Sequence, residues 1–279
     1  VDKILEPWQV EALVERFLDE DIGHGDRTTD AVVPEDLGGR ARIESRENAV
    51  IAGLDVARVC FSALGEVIWQ PQVRDGDRVG PGDVVARVEG PMRALLTAER
   101  TALNLLQRLS GIATMTRRYV DAVGTSPAQV VDTRKTTPGL RALEKYAVRV
   151  GGGSNHRAGL DDGILIKDNH IAAAGNVAQA VARARAAAPH GLKVEVEVQD
   201  LDQLDEAISA GAEAILLDNM SPQMVREAVT RAGGKALLEA SGGITLETIS
   251  EYAETGVDLI SVGALTHSVR AIDLSLEVE

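Results

Sequence analysis

The sequence predicts an α/β fold in which a (β/α) barrel domain follows a smaller domain of mixed helix and strand. Three observations carry that expectation. From about Gly124 onward, short runs rich in Val, Ile and Leu alternate with Ala-rich amphipathic stretches, the pattern of parallel strands covered by helices. Nearly every apolar run ends in hydrophilic side chains at its C-terminal edge, where a barrel gathers its active site. The segment before Gly90 reads differently, as strand-like stretches broken by Gly-Asp turns.

In the C-terminal part the predicted strands are Gln129–Thr133, Gly163–Lys167, Lys193–Gln199, Glu213–Asp218, Ala236–Ala240 and Asp258–Gly263. Helices are expected to begin near Pro138, Asn176, Leu201, Pro222 and Thr245, several behind an N-terminal signal such as Ser221-Pro222. This interleaving fits a closed barrel or an open doubly wound sheet. An open sheet would cluster its ligand groups at one switch point. Here they recur strand after strand, as Thr133-Arg134-Lys135, Lys167-Asp168-Asn169, Glu197, Asp218-Asn219, Ser241-Gly242-Gly243 and Gly263, which favours the barrel. The N-terminal part holds a helix around Trp8–Leu18 and strands near Gly39–Ser45, Val50–Ala52, Val67–Val73 and Val84–Gly90. A long helical pattern between Met92 and Val123, interrupted at Gly111, joins the parts, so the domains are expected at 1–111 and 112–279, with a C-terminal tail able to return to the first.

Composition excludes several functions. With 29 basic against 43 acidic residues, the formal charge of −14 opposes nonspecific attraction to nucleic acid or anionic membrane. Apolar stretches are strand-sized and Val1–Glu6 is charged rather than signal-like, so a soluble cytoplasmic protein is expected. The one cysteine, Cys60, permits neither an intrachain disulfide nor a cysteine metal site and is read as core filling.

Against that acidic background the grouped cations stand out: Arg134-Lys135, His156-Arg157 behind Gly151-Gly152-Gly153, and Lys167. They suggest an anion pocket, since the planar Arg fork matches a carboxylate's two oxygens. Structural ion pairs with Glu195, Glu197 and Asp218 are the competing account. The period-two stretch Lys193–Val198 puts Val on one face and Glu195 and Glu197 on the other, so a barrel would aim both carboxylates inward, whereas a surface edge strand would leave them solvated. Glu239-Ala240-Ser241-Gly242-Gly243-Ile244 and Ser261-Val262-Gly263-Ala264-Leu265 read as paired phosphate cradles, each of which alone could be a tight turn. Val73–Val84 has the Gly-Asp turn spacing of lipoyl or biotinyl carriers but no lysine to modify, and is taken as structural.

The chain resembles the quinolinate phosphoribosyltransferase family along its whole length. The resemblance rests on Asp21-Ile22-Gly23-His24-Gly25-Asp26-Arg27-Thr28-Thr29, Glu99-Arg100-Thr101-Ala102-Leu103-Asn104, Ser110-Gly111-Ile112-Ala113-Thr114, Asp132-Thr133-Arg134-Lys135-Thr136-Thr137-Pro138-Gly139, Gly151-Gly152-Gly153-x-Asn155-His156-Arg157, Leu165-Ile166-Lys167-Asp168-Asn169-His170 and Glu239–Ile244. It implies an N-terminal α/β sandwich domain, an irregular seven-stranded barrel, and a homodimer in which Arg100 completes the partner's site. By analogy Arg134, His156, Arg157 and Lys167 hold the quinolinate carboxylates, and Lys135 lies between acceptor and pyrophosphate. Glu197 and Asp218 face the ribose of phosphoribosyl pyrophosphate, and Ser241, Gly242, Gly243, Val262, Gly263 and Ala264 hold its 5-phosphate. Thr133 and His267 join the implied binding set, Lys135, Glu197 and Asp218 the catalytic one. Mg2+ is expected mainly through the pyrophosphate's own oxygens. A Schiff-base aldolase using Lys167 or Lys135 would leave Arg134, Arg157 and the paired Glu residues unexplained. A non-catalytic sensor of the diacid is the third reading. A nicotinate-using relative would need fewer cations, because its acceptor has one carboxylate.

Overall fold

The structure is a computed structural model that describes residues 6–279; the charged stretch 1–5 lies outside the described residues. The chain divides into two compact units. One holds residues up to Arg117 together with Ala142–Gly152 and Val269–Glu279, and the other holds Arg118–Arg141 and Gly153–Ser268. No helix among the described residues is long and apolar enough to cross a membrane.

The first unit contains α1 (Pro7–Ile22), α2 (Arg27–Val32), β1 (Gly38–Ser45), β2 (Ala49–Val50), α3 (Leu54–Ser62), β3 (Ile68–Pro71), β4 (Arg78–Val79), β5 (Val84–Pro91) and most of α4 (Met92–Val123), and is completed by α5 (Arg141–Val150) and the last strand, β12 (Leu274–Val278). Its main sheet is antiparallel, in the order β12-β1-β5-β3. Ala41, Ile43 and Ser45 of β1 turn into the core, while Arg40, Arg42 and Glu44 face outward and form ion pairs, Arg40 with Glu89 and Arg42 with Glu44, the alternation expected of a sheet with one solvated face. Phe61 stacks on Trp69 with ring centroids 5.9 Å apart. Cys60 is fully buried and unbonded, and burial raises its thiol to about 12, so it fills the core as an inert apolar group.

Two polar contacts fix α5 in this unit. Arg108 on α4 donates to the fully buried Glu144 at 2.8 Å. Tyr146 Oη donates at 2.6 Å to Asp75, which also accepts from the backbone N–H groups of Gly53 and Leu54 at the start of α3. The turn-rich segment around Asp75 therefore has a structural task.

The second unit contains β6 (Gln129–Val131), β7 (Ile164–Ile166), α6 (Asp168–Ala174), α7 (Val177–Ala187), β8 (Val194–Val198), α8 (Leu201–Ser209), β9 (Ala214–Asp218), α9 (Pro222–Ala232), β10 (Leu237–Ser241), α10 (Ile249–Ala253), β11 (Leu259–Ser261) and α11 (Ala264–His267). Its six strands are all parallel, in the order β6-β11-β10-β9-β8-β7. A parallel bridge between Val131 and Ser154 extends the ladder past β6 by one residue pair and takes the place of the seventh strand, which is what makes the barrel irregular.

All six expected strands are present with ends shifted by at most two residues. Asn176, Asp200 and Ser221 cap α7, α8 and α9 through backbone N–H groups at 2.8–3.3 Å. Two helices start later than predicted. Gly139 takes a left-handed φ of 85°, which turns the chain after Pro138 and delays α5 to Arg141. Thr245 N–H donates to Thr248 Oγ1 at 3.0 Å in a separate turn, so α10 opens only at Ile249. Strand β8 lies inside the sheet, with Val194, Val196 and Val198 buried beneath α7 and α8. That excludes the solvated edge strand and turns Glu195 and Glu197 inward.

The expected interruption at Gly111 is absent, for α4 runs through it unbroken. A Cβ at Gly111 would overlap the Arg270 carbonyl oxygen, so glycine here serves close backbone approach. Gly111→Ala should destabilise the fold by about 1–3 kcal/mol through overpacking, read as a lowered thermal midpoint. An unchanged midpoint would show that the tail yields freely.

Candidate active site

The C-terminal ends of the barrel strands surround a cavity of about 620 Å³. It is lined by every site residue inferred from the sequence except Arg100: Thr133, Arg134, Lys135, His156, Arg157, Lys167, Glu197, Asp218, Ser241, Gly242, Gly243, Val262, Gly263, Ala264 and His267. Arg100 belongs to α4 in the first unit, where its side chain is 60% exposed and its nearest acid is Glu99 at 3.9 Å. Leu165 and Leu216 give the cavity an apolar wall.

At one end two guanidinium groups stand together. Arg157 donates to Gly163 O at 2.8 Å, and its acidity is raised by burial and by the charge of Arg134, with Glu195 opposing weakly. Arg134 has its Nε buried without a hydrogen-bond partner, and neither arginine has a carboxylate in ion-pair range among the described residues. The ion-pair account therefore fits Lys167, which bonds Glu197, but not these two. Like charges this close call for an anion between them.

His156 sits below them, with Nε2 at 3.1 Å from Glu195 and 3.5 Å from Glu239, while Nδ1 accepts from the Arg157 backbone N–H at 2.7 Å. Asp132, fully buried, accepts from the His156 N–H at 2.9 Å and from Asn155 at 2.6 Å, which fixes this loop to the end of β6.

Along the opposite wall, Asp218 ends β9 and accepts from Asn219 Nδ2 at 2.9 Å. Asn219 is the one non-glycine residue with positive φ among the described residues, at 55°, and its N–H donates to Ser241 O at 2.8 Å. A Cβ on Gly242 would overlap the Asn219 carboxamide, so this glycine lets the two strand ends meet. A Cβ on Gly263 would approach His267 Nε2 to 3.0 Å and Lys135 Cδ to 3.2 Å, so glycine admits both side chains to the rim. The helices behind these loops are shorter than expected, with five residues in α10 and four in α11. Any phosphate cradle here consists of loop N–H groups rather than a long helix terminus.

Sequence reasoning named Glu239, Asn219 and Ser261 within motifs but gave them no site role of their own, and all three line the cavity. Glu239 could have been found: it is the one charged residue in the buried run Leu237-Leu238-Glu239-Ala240, and a lone carboxylate there needs a reason.

Fold and rim together define a barrel enzyme for multiply anionic small molecules. Residues 26–110 match the family described as quinolinate phosphoribosyl transferase, N-terminal domain, and residues 112–277 match its C-terminal domain. The chain belongs to the quinolinate phosphoribosyl transferase family. It is 50% identical over 272 residues to a nicotinate-nucleotide pyrophosphorylase [carboxylating] of Mycobacterium leprae, covering 95% of each chain. It is 38% identical to quinolinate phosphoribosyltransferase [decarboxylating] 1b of Nicotiana tabacum, covering 98% of this chain and 83% of that one. The structure of the nicotinate-nucleotide pyrophosphorylase from Francisella tularensis superposes with a TM-score of 0.95 at 42% identity, covering 100% of both chains.

Gly242→Ala should displace Asn219 and release Asp218, with a cost of about 1–3 kcal/mol in stability. Thermal unfolding reads the cost. A crystal structure of the variant with Asn219 unmoved would refute the contact.

Proposed function

We propose that the protein transfers the phosphoribosyl group of phosphoribosyl pyrophosphate to quinolinate with decarboxylation, giving nicotinate mononucleotide, pyrophosphate and carbon dioxide for NAD biosynthesis, and that it works as a cytoplasmic homodimer. The observation that carries this reading is the Arg134–Arg157 pair without a carboxylate partner among the described residues, in one cavity with Glu197, Asp218 and two glycine loops. Two guanidiniums suit a diacid, and the loops suit a phosphate.

The chemistry follows from charge. As pyrophosphate leaves, the ribosyl carbon takes on oxocarbenium character, and fixed carboxylates beside it stabilise the developing positive charge. Glu197 and Asp218 occupy that middle position. The pyridine nitrogen attacks with its own lone pair, so no general base is required. Once bonded to ribose the ring is cationic and draws electrons from the adjacent carboxylate, which assists loss of carbon dioxide. Arg134, Arg157 and Lys167 orient the diacid throughout, and Lys135 bridges its end of the cavity to the pyrophosphate. The lysines act as charges, not as Schiff-base nucleophiles. Lys167, already bonded to Glu197 without ligand, would exchange that partner for a substrate carboxylate and leave Glu197 to the sugar.

Magnesium fits a rim of hard oxygen donors: Asp218 is a cavity carboxylate with no cationic partner among the described residues. When bound it would neutralise pyrophosphate charge, with Asp218 offering one oxygen and the substrate most of the rest.

Incubation with quinolinate, phosphoribosyl pyrophosphate and magnesium should yield nicotinate mononucleotide and carbon dioxide in equal amounts; nicotinate accepted in place of quinolinate would overturn the substrate assignment. Lys135→Ala and Glu197→Ala should each lower kcat/KM by about 100-fold or more, as loss of transition-state charge stabilisation does. Near-wild-type turnover removes that residue from the machinery. If Arg100 serves the partner's site, inactive Arg100→Ala and Lys135→Ala proteins mixed and re-equilibrated should regain about a quarter of wild-type activity, because half the dimers then carry one intact site. No regain would return Arg100 to its own subunit.

A further inference from the structure

Strands β6 and β11 are neighbours in the parallel sheet, with Val131 paired to Ser261 and the Val262 N–H donating to Val131 O at 3.0 Å. The loop that carries Lys135 and the glycine loop at Gly263 therefore leave the sheet side by side. One side chain joins them. Thr266 on α11 is fully buried, and its Oγ1 donates to Lys135 O at 2.8 Å, with Gly263 O farther off at 3.3 Å. A hydroxyl has one proton, so the shorter contact, which crosses between the loops, takes it in preference to the longer one within its own turn.

This contact is one half of a clamp. The Lys135 N–H donates to Thr133 Oγ1 at 3.0 Å, so both backbone polar groups of Lys135 are committed to threonine hydroxyls, one from its own loop and one from the neighbouring loop. Lys135 itself is exposed at the rim, and its stem crosses Gly263, where a Cβ would stand 3.2 Å from Lys135 Cδ. A lysine is a point charge on a flexible four-carbon stem, so the place of its ammonium is decided first by where its backbone is held. Packing alone does not call for threonine at position 266, since valine has the same shape and a buried hydroxyl is unfavourable unless it is hydrogen-bonded. Thr266 is absent from the cavity wall, so whatever it does for the site it does through its neighbours.

We propose that Thr266 is a positioning residue whose hydroxyl fastens the Lys135 loop to the glycine loop after β11, so that the lysine and the backbone that would take the 5-phosphate are set as one piece. The proposal rests on the phosphoribosyl-transfer reading, in which Lys135 spans acceptor and pyrophosphate. Without the hydroxyl, Lys135 O loses its donor and turns toward water, and the lysine moves off Gly263. A misplacement of about 1 Å at a reacting centre costs about 100-fold in rate.

Three variants of the whole protein test this. Thr266→Val, which keeps the volume and removes the hydroxyl, should lower kcat/KM for phosphoribosyl pyrophosphate at saturating quinolinate by about tenfold or more, and Thr266→Ser, which restores the hydroxyl, should recover most of that loss. Placed on Lys135→Ala, Thr266→Val should lower the residual rate by less than about twofold further, because a residue that acts through the lysine has no effect once the lysine is gone. The full loss in both backgrounds marks a merely structural role and overturns the proposal, as do wild-type rates in Thr266→Val. Ligand-free crystal structures decide the placement independently of turnover: Lys135 Cα should lie about 1 Å or more farther from Gly263 in Thr266→Val than in the wild type and return in Thr266→Ser. An unmoved loop overturns the positioning role. If the wild type converts no quinolinate, the substrate reading falls, and the crystal structures still decide whether Thr266 holds Lys135.

Discussion

Two like charges held side by side, Arg134 and Arg157, are the constraint on which the barrel depends. Folding brings them together with burial disfavouring the charge of Arg157 and, among the described residues, no carboxylate in ion-pair range of either. Ionic pairing is the usual remedy and the chain applies it elsewhere, as in Arg108–Glu144, Arg231–Asp205 and Arg40–Glu89. Its omission inside the cavity leaves positive charge that an anionic ligand would neutralise, so that energy withheld from folding would become available for recognition. The neighbouring features support the same corner. Asp132 fixes the loop that carries Arg157, Gly163 O takes one of its protons, and β6 sets the height of Arg134.

The same constraint resolves the tension set by a charge of −14. An acidic protein that handles acidic substrates must remove its carboxylates from the place of contact, and here they are staged by depth. Glu195 and Glu239 lie below the arginines and face His156. Glu197 is drawn to Lys167, and Asp218 accepts a hydrogen bond from Asn219.

Much of this was legible in the sequence, because periodicity and strand-end chemistry are local signals. The strands from Gln129 to Ser261 follow from apolar runs, and the inward aim of Glu195 and Glu197 follows from alternation with three valines. What escaped notice is non-local. Gly111 reads as a helix breaker until Arg270, far along the chain, is seen against it. His156 reads as one more cation until its two nitrogens are traced to Arg157 and to the acids from β8 and β10. Asn219 reads only as a polar strand end, since its left-handed backbone answers to Gly242 beyond the next strand. Arg100 has no role that spacing could suggest, and only the family resemblance draws it toward a site.

The pairing of β12 with β1 gives the fold a temporal order. Strand β1 leaves the ribosome early, but its partner is synthesised only after the entire barrel, so throughout elongation one side of β1 exposes unpaired N–H and C=O groups. An open edge of this kind invites pairing with other chains. Outward-facing Arg40, Arg42 and Glu44 line that edge with charge, and once β12 arrives Arg42 binds Glu279 while the neighbouring Arg46 binds Glu277. Charge that guards the nascent sheet thus becomes part of the latch that closes it.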